Sequence, residues 1–130
     1  MNQWKEWKTA LEAKGQNILI KVEINDGSIH IEDAEVYSVY DNPYHMLFDN
    51  REFNGEIIGW TNIPEDNEWK PWETSSEMAG KKVLVKFEMN DGNIHIEDAE
   101  IQIIDNHPYY ILFDGETLNA NIVGWTHIPE

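Results

Sequence analysis

Asn25-Asp26-Gly27-Ser28-Ile29-His30-Ile31-Glu32-Asp33-Ala34-Glu35 occurs twice in this chain. It returns as Asn90-Asp91-Gly92-Asn93-Ile94-His95-Ile96-Glu97-Asp98-Ala99-Glu100, with only Ser28 changed. The offset of 65 residues (90 − 25) holds without a gap from Trp4/Trp69 to Glu65/Glu130. Asn-Asp-Gly between two apolar runs signals a hairpin, because a tight type I′ turn needs residues that tolerate positive φ. Each copy therefore reads as a turn followed by an acid-rich strand.

The strand before the turn is equally plain. Ile18, Ile20, Val22 and Ile24 alternate with Leu19, Lys21 and Glu23, the period of a half-buried strand. Val83, Val85, Phe87 and Met89 repeat the pattern. With Asp26-Gly27 as a two-residue loop, Ile24 would face Ile29, Glu23 His30, Val22 Ile31 and Lys21 Glu32. In the second copy Lys86 would face Glu97, and Glu88 His95. That register puts Asp33 on the core side, where a carboxylate is costly without a partner. We expect a bulge at Asp33, and again at Asp98, with the acid either capping backbone N–H groups or projecting outward for recognition.

Upstream, Trp4, Trp7 and Leu11 fall at helical spacing and Gly15 supplies a stop, so residues 4–14 predict a short amphipathic helix. Pro71 fits only the first turn of the second helix, and Ser76 replaces Leu11. A shorter or irregular second helix follows. The paired Trp are expected to close one end of each core. Downstream, Val36–Tyr40 and Ile101–Asp105 extend the strand, and Asn42-Pro43 and His107-Pro108 mark a turn. Tyr44–Phe48 and Tyr109–Phe113 form another strand, and Ile57–Ile63 carries Gly59, a site for a kink or close backbone approach.

Each copy thus predicts a short helix and four or five short antiparallel strands. That composition fits two tandem small barrels of the SH3-like or Sm-like kind, over residues 1–65 and 66–130. The overall class is mainly β with short helices. Units this small bury a modest core, and Asp66-Asn67-Glu68 is too short a linker for free tumbling.

Charge is the loudest signal about function. Nine Lys and Arg stand against 25 Asp and Glu, a net charge of −16. Splitting after Glu65 leaves five basic against 12 acidic residues in the first copy, and four against 13 in the second. This exceeds the ~2–8 units that serve solubility in a small domain. Such a chain repels nucleic acid and anionic membranes and attracts basic surfaces. The chain has no Cys, hence no disulfide framework, thiolate metal site or Cys nucleophile. Its start lacks a signal-peptide core and no run approaches a membrane span, so a cytoplasmic location, in a bacterial host cell, is the expectation.

Catalytic chemistries find no footing. His30-x-Glu32 puts an imidazole and a carboxylate on one strand face, but a metal site needs three or four convergent ligands. The Asp-Gly-Asn-x-His-x-Glu string lacks the order of a calcium loop. No Gly-rich phosphate loop or nucleophile elbow is present. We expect no enzyme activity, no metal and no cofactor. Roughly half the positions are identical between copies, and the retained set includes acids that a fold alone needs less. These are Glu32, Asp33, Glu35 and Asp49, with Glu97, Asp98, Glu100 and Asp114. Alternate residues on a strand lie ~6.6 Å apart, so Glu23, Glu32 and Glu35 would form a row of negative charge.

The sequence therefore suggests a DNA mimic, one that binds no nucleic acid itself but occupies the basic surface of a nuclease or other nucleic-acid-processing enzyme. A phage anti-CRISPR or anti-restriction protein is one such inhibitor; an immunity protein against a basic toxin is another. The alternative is a bivalent module for a small ligand or peptide, using aromatic pockets at Trp60 and Trp125. The chain is expected to act as a monomer or homodimer.

Overall fold

A computed structural model describes residues 3–47, 55–113, 115 and 117–130. The chain is mainly β, with antiparallel strands throughout the described residues. The strands are β1 (Asn17–Ile24), β2 (Ile29–Val39), β3 (Asn42–Met46), β4 (Gly55–Thr61), β5 (Lys82–Met89), β6 (Ile94–Ile104), β7 (His107–Ile111) and β8 (Ala120–Thr126). They fall into two compact units, one of Met1–Ile63 with Pro129–Glu130, the other of Pro64–Ile128.

In the first unit the strand order is β4-β1-β2-β3, and in the second β8-β5-β6-β7. Neither unit closes into the expected barrel: among the described residues β3 does not pair with β4, nor β7 with β8. A helix stands where closure would occur. Trp7–Ala13 packs against β2, β3 and β4, and Trp72–Met78 against β6, β7 and β8. Both are seven-residue 3-10 helices, so the second is not the shorter one. The same side-chain bond pins each: the Trp60 indole donates to Thr9 Oγ1 and the Trp125 indole to Thr74 Oγ1, both at 2.9 Å. The residues these helices bury are Ala10 and Ala13 in one and Ser75 in the other, whereas Leu11 is only half-buried. Exchanging Leu11 for Ser76 therefore costs little.

The Asn-Asp-Gly hairpin has a three-residue loop, not the two-residue loop expected. Ile24 N–H donates to Ser28 O and Gly27 N–H to Ile24 O, each at 2.8 Å. Only Gly27 of the three has positive φ, 90°. This is a type I turn closed by a left-handed glycine. Asp26 braces it, its Oδ1 accepting from Ser28 N–H at 2.9 Å and Ser28 Oγ at 2.6 Å; Asp91 does the same for Asn93. The Ser28 hydroxyl, ahead of its backbone amide, holds the exposed Asp26 carboxyl below its ordinary pKa.

The extra loop residue slips β2 by one position, and a slip of one exchanges the two faces of a strand. Glu23 now faces Ile29, Val22 faces His30, Lys21 faces Ile31 and Ile20 faces Glu32. In the second unit Phe87 faces His95 and Lys86 faces Ile96. Glu32 and His30 thus share the core face with Ile18, Ile20, Val22 and Trp60, and Asp33 turns away from it. No bulge is needed at Asp33 or Asp98, and pairing runs unbroken through Leu19–Asp33 and Leu84–Asp98. The irregularity lies across β1 and β4 instead, where Lys21 faces Gly59 and Val22 faces Ile57.

The β2–β3 turn is Tyr40-Asp41, two residues before Asn42-Pro43. Its φ values of 52° and 63°, and those of 52° and 68° at Asp105-Asn106, are those of a type I′ turn built without glycine. Pro43 lies within β3, opposite Ser38. In a two-residue hairpin that position aims its nitrogen at the free edge, so proline removes an edge donor that could template pairing with another chain. The close approach expected at Gly59 is present, and at Gly124 a Cβ would lie 2.6 Å from Lys70 O.

Candidate functional site

The core face carries the first unexpected chemistry. His30 Nε2 lies 2.7 Å from Glu32 Oε1, and His95 Nε2 lies 2.7 Å from Glu97 Oε1. Each side chain is at most 1% exposed. A carboxylate that orients an imidazole is a component of general-base catalysis, but these two are sealed from solvent, and we assign them to the core. The signal was present in sequence as a retained His-x-Glu; the expected pairing of His30 with Glu23 misdirected it. His45 joins this face, opposite Val36, with its ring edge-to-face against Trp7 at 6.2 Å. Burial pushes its pKa below the usual histidine value, partly opposed by the Glu32 charge.

The acids singled out from sequence divide three ways. Glu32, Asp33, Glu97 and Asp98 are buried, at 1%, 6%, 0% and 2% exposure. Glu35 is exposed and Glu100 half-buried. Asp49 and Asp114 lie outside the described residues. The continuous outward row of Glu23, Glu32 and Glu35 therefore does not exist. Trp60 and Trp125 are core side chains at 1% and 0% exposure, so neither offers an open stacking face.

What does lie outward is two exposed patches on the face of β1 to β4 opposite the Trp60 core, one acidic and one mixed acidic and apolar, with the buried Leu19, Ile31 and Asp33 between them. Glu23 and Glu56 are exposed and directly opposite one another. Glu35 is exposed opposite Met46, and Tyr37 opposite Tyr44, with ring centroids 5.9 Å apart. Tyr44 and Met46 are each 47% exposed. Nearby, Lys21 lies under Trp4 at 4.4 Å, and burial lowers its pKa. Strand position alone brings Glu35, Tyr37, Tyr44 and Met46 together, because alternate residues of β2 and β3 point the same way. Sequence reading missed the surface, since it set no register between β2 and β3.

The equivalent face of the second unit carries Glu88, Glu100, Tyr109, Ile111 and Phe113. It also holds a cavity of about 210 Å³ whose lining includes Lys82, Asp98, Glu100, Leu112 and Phe113. Lys82 Nζ lies 3.9 Å from Asp98 Oδ2, and the Gln102 amide donates to Glu100 Oε2. No protein-family model matches the chain, and neither a curated protein nor a solved structure matches it. No described helix is long and apolar enough to cross a membrane.

Proposed function

We propose that this is an acidic binding protein, not an enzyme, that occupies the basic surface of a nucleic-acid-processing enzyme. The observation that carries the reading is Glu23 directly opposite Glu56 on an exposed face. Like charges facing across a strand pair are destabilising, so the fold gains nothing from them. A cationic partner would. Further along the same face, Tyr37, Tyr44 and Met46 beside Glu35 supply exposed apolar area of the kind that marks interaction sites. A charge of −16 would steer a basic partner in quickly and make the complex sensitive to salt. Strongly basic surfaces are typical of proteins that grip phosphate backbones. We read the outward carboxylates Glu23, Glu35 and Glu56 of the first unit as the contact, in place of the buried acids; the second unit lacks the like-charge pair, since Glu88 faces Asn121.

The test is a pull-down from bacterial lysate with the tagged chain, eluted with duplex DNA. A nucleic-acid-binding enzyme released by DNA, and inhibited by the purified chain, is expected. Capture that neither DNA nor high salt reverses would overturn the reading.

A further inference from the structure

Lys5, Lys21, Lys70 and Lys86 each lie over an indole ring, 4.6, 4.4, 4.9 and 4.5 Å from the centroids of Trp60, Trp4, Trp125 and Trp69. Three of them are also exposed or held by an acid. Lys5 reaches Glu12 at 3.4 Å, Lys86 reaches Asp66 at 3.8 Å, and Lys70 is exposed. Lys21 is half-buried, and among the described residues no carboxylate lies within ion-pair distance of it. It sits opposite Ile31 on β2 and Gly59 on β4. The acids of its face, Glu23, Asp33 and Glu56, belong to the rows on either side. Above the bare Gly59 backbone stands Trp4, its Cβ 3.6 Å from where a Gly59 Cβ would lie, and its indole N–H is fixed on Pro129 O at 2.9 Å.

Taking an ammonium out of water with no opposing charge favours the neutral amine, and burial lowers the Lys21 pKa. The neutral amine is the nucleophile. The geometry points to Lys21 as a site of covalent modification by small neutral aldehydes. Nζ adds through its lone pair to the carbonyl carbon, its two hydrogens leave with the carbonyl oxygen as water, and a proton from solvent turns the imine into an iminium. The product is again a cation, so the Trp4 ring holds it as it held the ammonium. It carries one N–H where the ammonium carries three, so half-burial costs it less hydration. An acyl group would instead erase the charge and forfeit the ring contact.

Propanal with cyanoborohydride, which reduces the iminium to a stable secondary amine, is the probe. The full chain is treated at neutral pH and the alkylated lysines are followed by peptide mass mapping. Lys86 is the internal control, at the matching place on β5 and under the matching ring, but with Asp66 beside it. Lys21 should be alkylated about threefold faster than Lys86, the scale of one surface ion pair, and Asp66→Asn should close that gap. Asp66 is fully exposed, so the variant should keep the parent melting temperature. Unfolded in guanidinium chloride, the two lysines should react alike. Labelling spread evenly over the lysines, a Lys86 rate equal to that of Lys21 in the parent chain, a gap that Asp66→Asn leaves unchanged, or a preference that survives unfolding would each overturn the inference. None of these readouts depends on a basic partner.

Discussion

Replacing Glu32 with lysine distinguishes the two possible hairpin registers. With a two-residue loop Glu32 would point to solvent beside Lys21; with the observed three-residue loop it is 1% exposed and 2.7 Å from His30. Removing one member of a buried, hydrogen-bonded pair costs about 3–5 kcal/mol, and the lysine adds a buried charge of the wrong sign. Small domains hold only ~5–15 kcal/mol in all. At about 4–8 °C per kcal/mol for a unit of this size, the melting temperature should fall by roughly 15 °C or more. Glu35→Lys, three positions along the same strand but exposed, should change stability by no more than about 0.5 kcal/mol. Thermal unfolding followed by tryptophan fluorescence reads both. A Glu32→Lys variant that melts alongside Glu35→Lys would refute the register, and with it the placement of every side chain on β2.

Three further outcomes follow from local geometry. Ser75 Oγ is buried with no hydrogen-bond partner among the described residues, at the position Ala10 fills in the first unit; Ser75→Ala should raise stability by about 1 kcal/mol in urea unfolding, and a loss would mean the hydroxyl is satisfied. Tyr40 and Asp41 hold left-handed conformations that favour Asn and Gly, so Tyr40→Asn with Asp41→Gly should stabilise by about 1 kcal/mol, measured the same way. His45 titrates below its unfolded value of ~6.5, so the unfolded chain takes up the proton first, and stability present above that pH is lost as pH falls through the lowered folded value. His45→Tyr, which copies Tyr110 of the second unit, should flatten that part of a stability–pH profile; an unchanged profile would exclude His45 as its source.

The fold was legible where one signal decided the outcome. Alternation along Ile18–Ile24 is strong enough to fix the inner face of β1, and Trp60 was bound to be placed by its bulk once the strands paired. The acidic strand was harder, because Asn-Asp-Gly is compatible with two loop lengths and the choice rests on a single extra bond pattern. Asp26 bonding to Ser28 keeps Asp26 out of the left-handed region and leaves only Gly27 there, a preference hidden in side-chain geometry. That one residue of loop moved His30 and Glu32 into the core and removed the need for a bulge at Asp33. Pairings of opposite charge made the wrong register look self-consistent, yet surface ion pairs contribute so little that they cannot outweigh the turn. Pro43 misled for a related reason: proline is read as a turn residue, but at a free strand edge it protects the edge. Barrel closure failed because the strand pattern says nothing about the helix that occupies the gap between β3 and β4.

The central claim is that the outward carboxylates serve a partner and not the fold, and Glu56→Lys tests it most directly. Lysine there replaces a like-charge pair with an opposite-charge one, so the free protein should gain about 0.5 kcal/mol. The affinity for the captured basic enzyme, measured by titration across a salt series, should fall, and its dependence on salt should flatten. A more stable variant that binds less well is the expected result; a variant that binds the enzyme as tightly as the parent at every salt concentration would contradict the account.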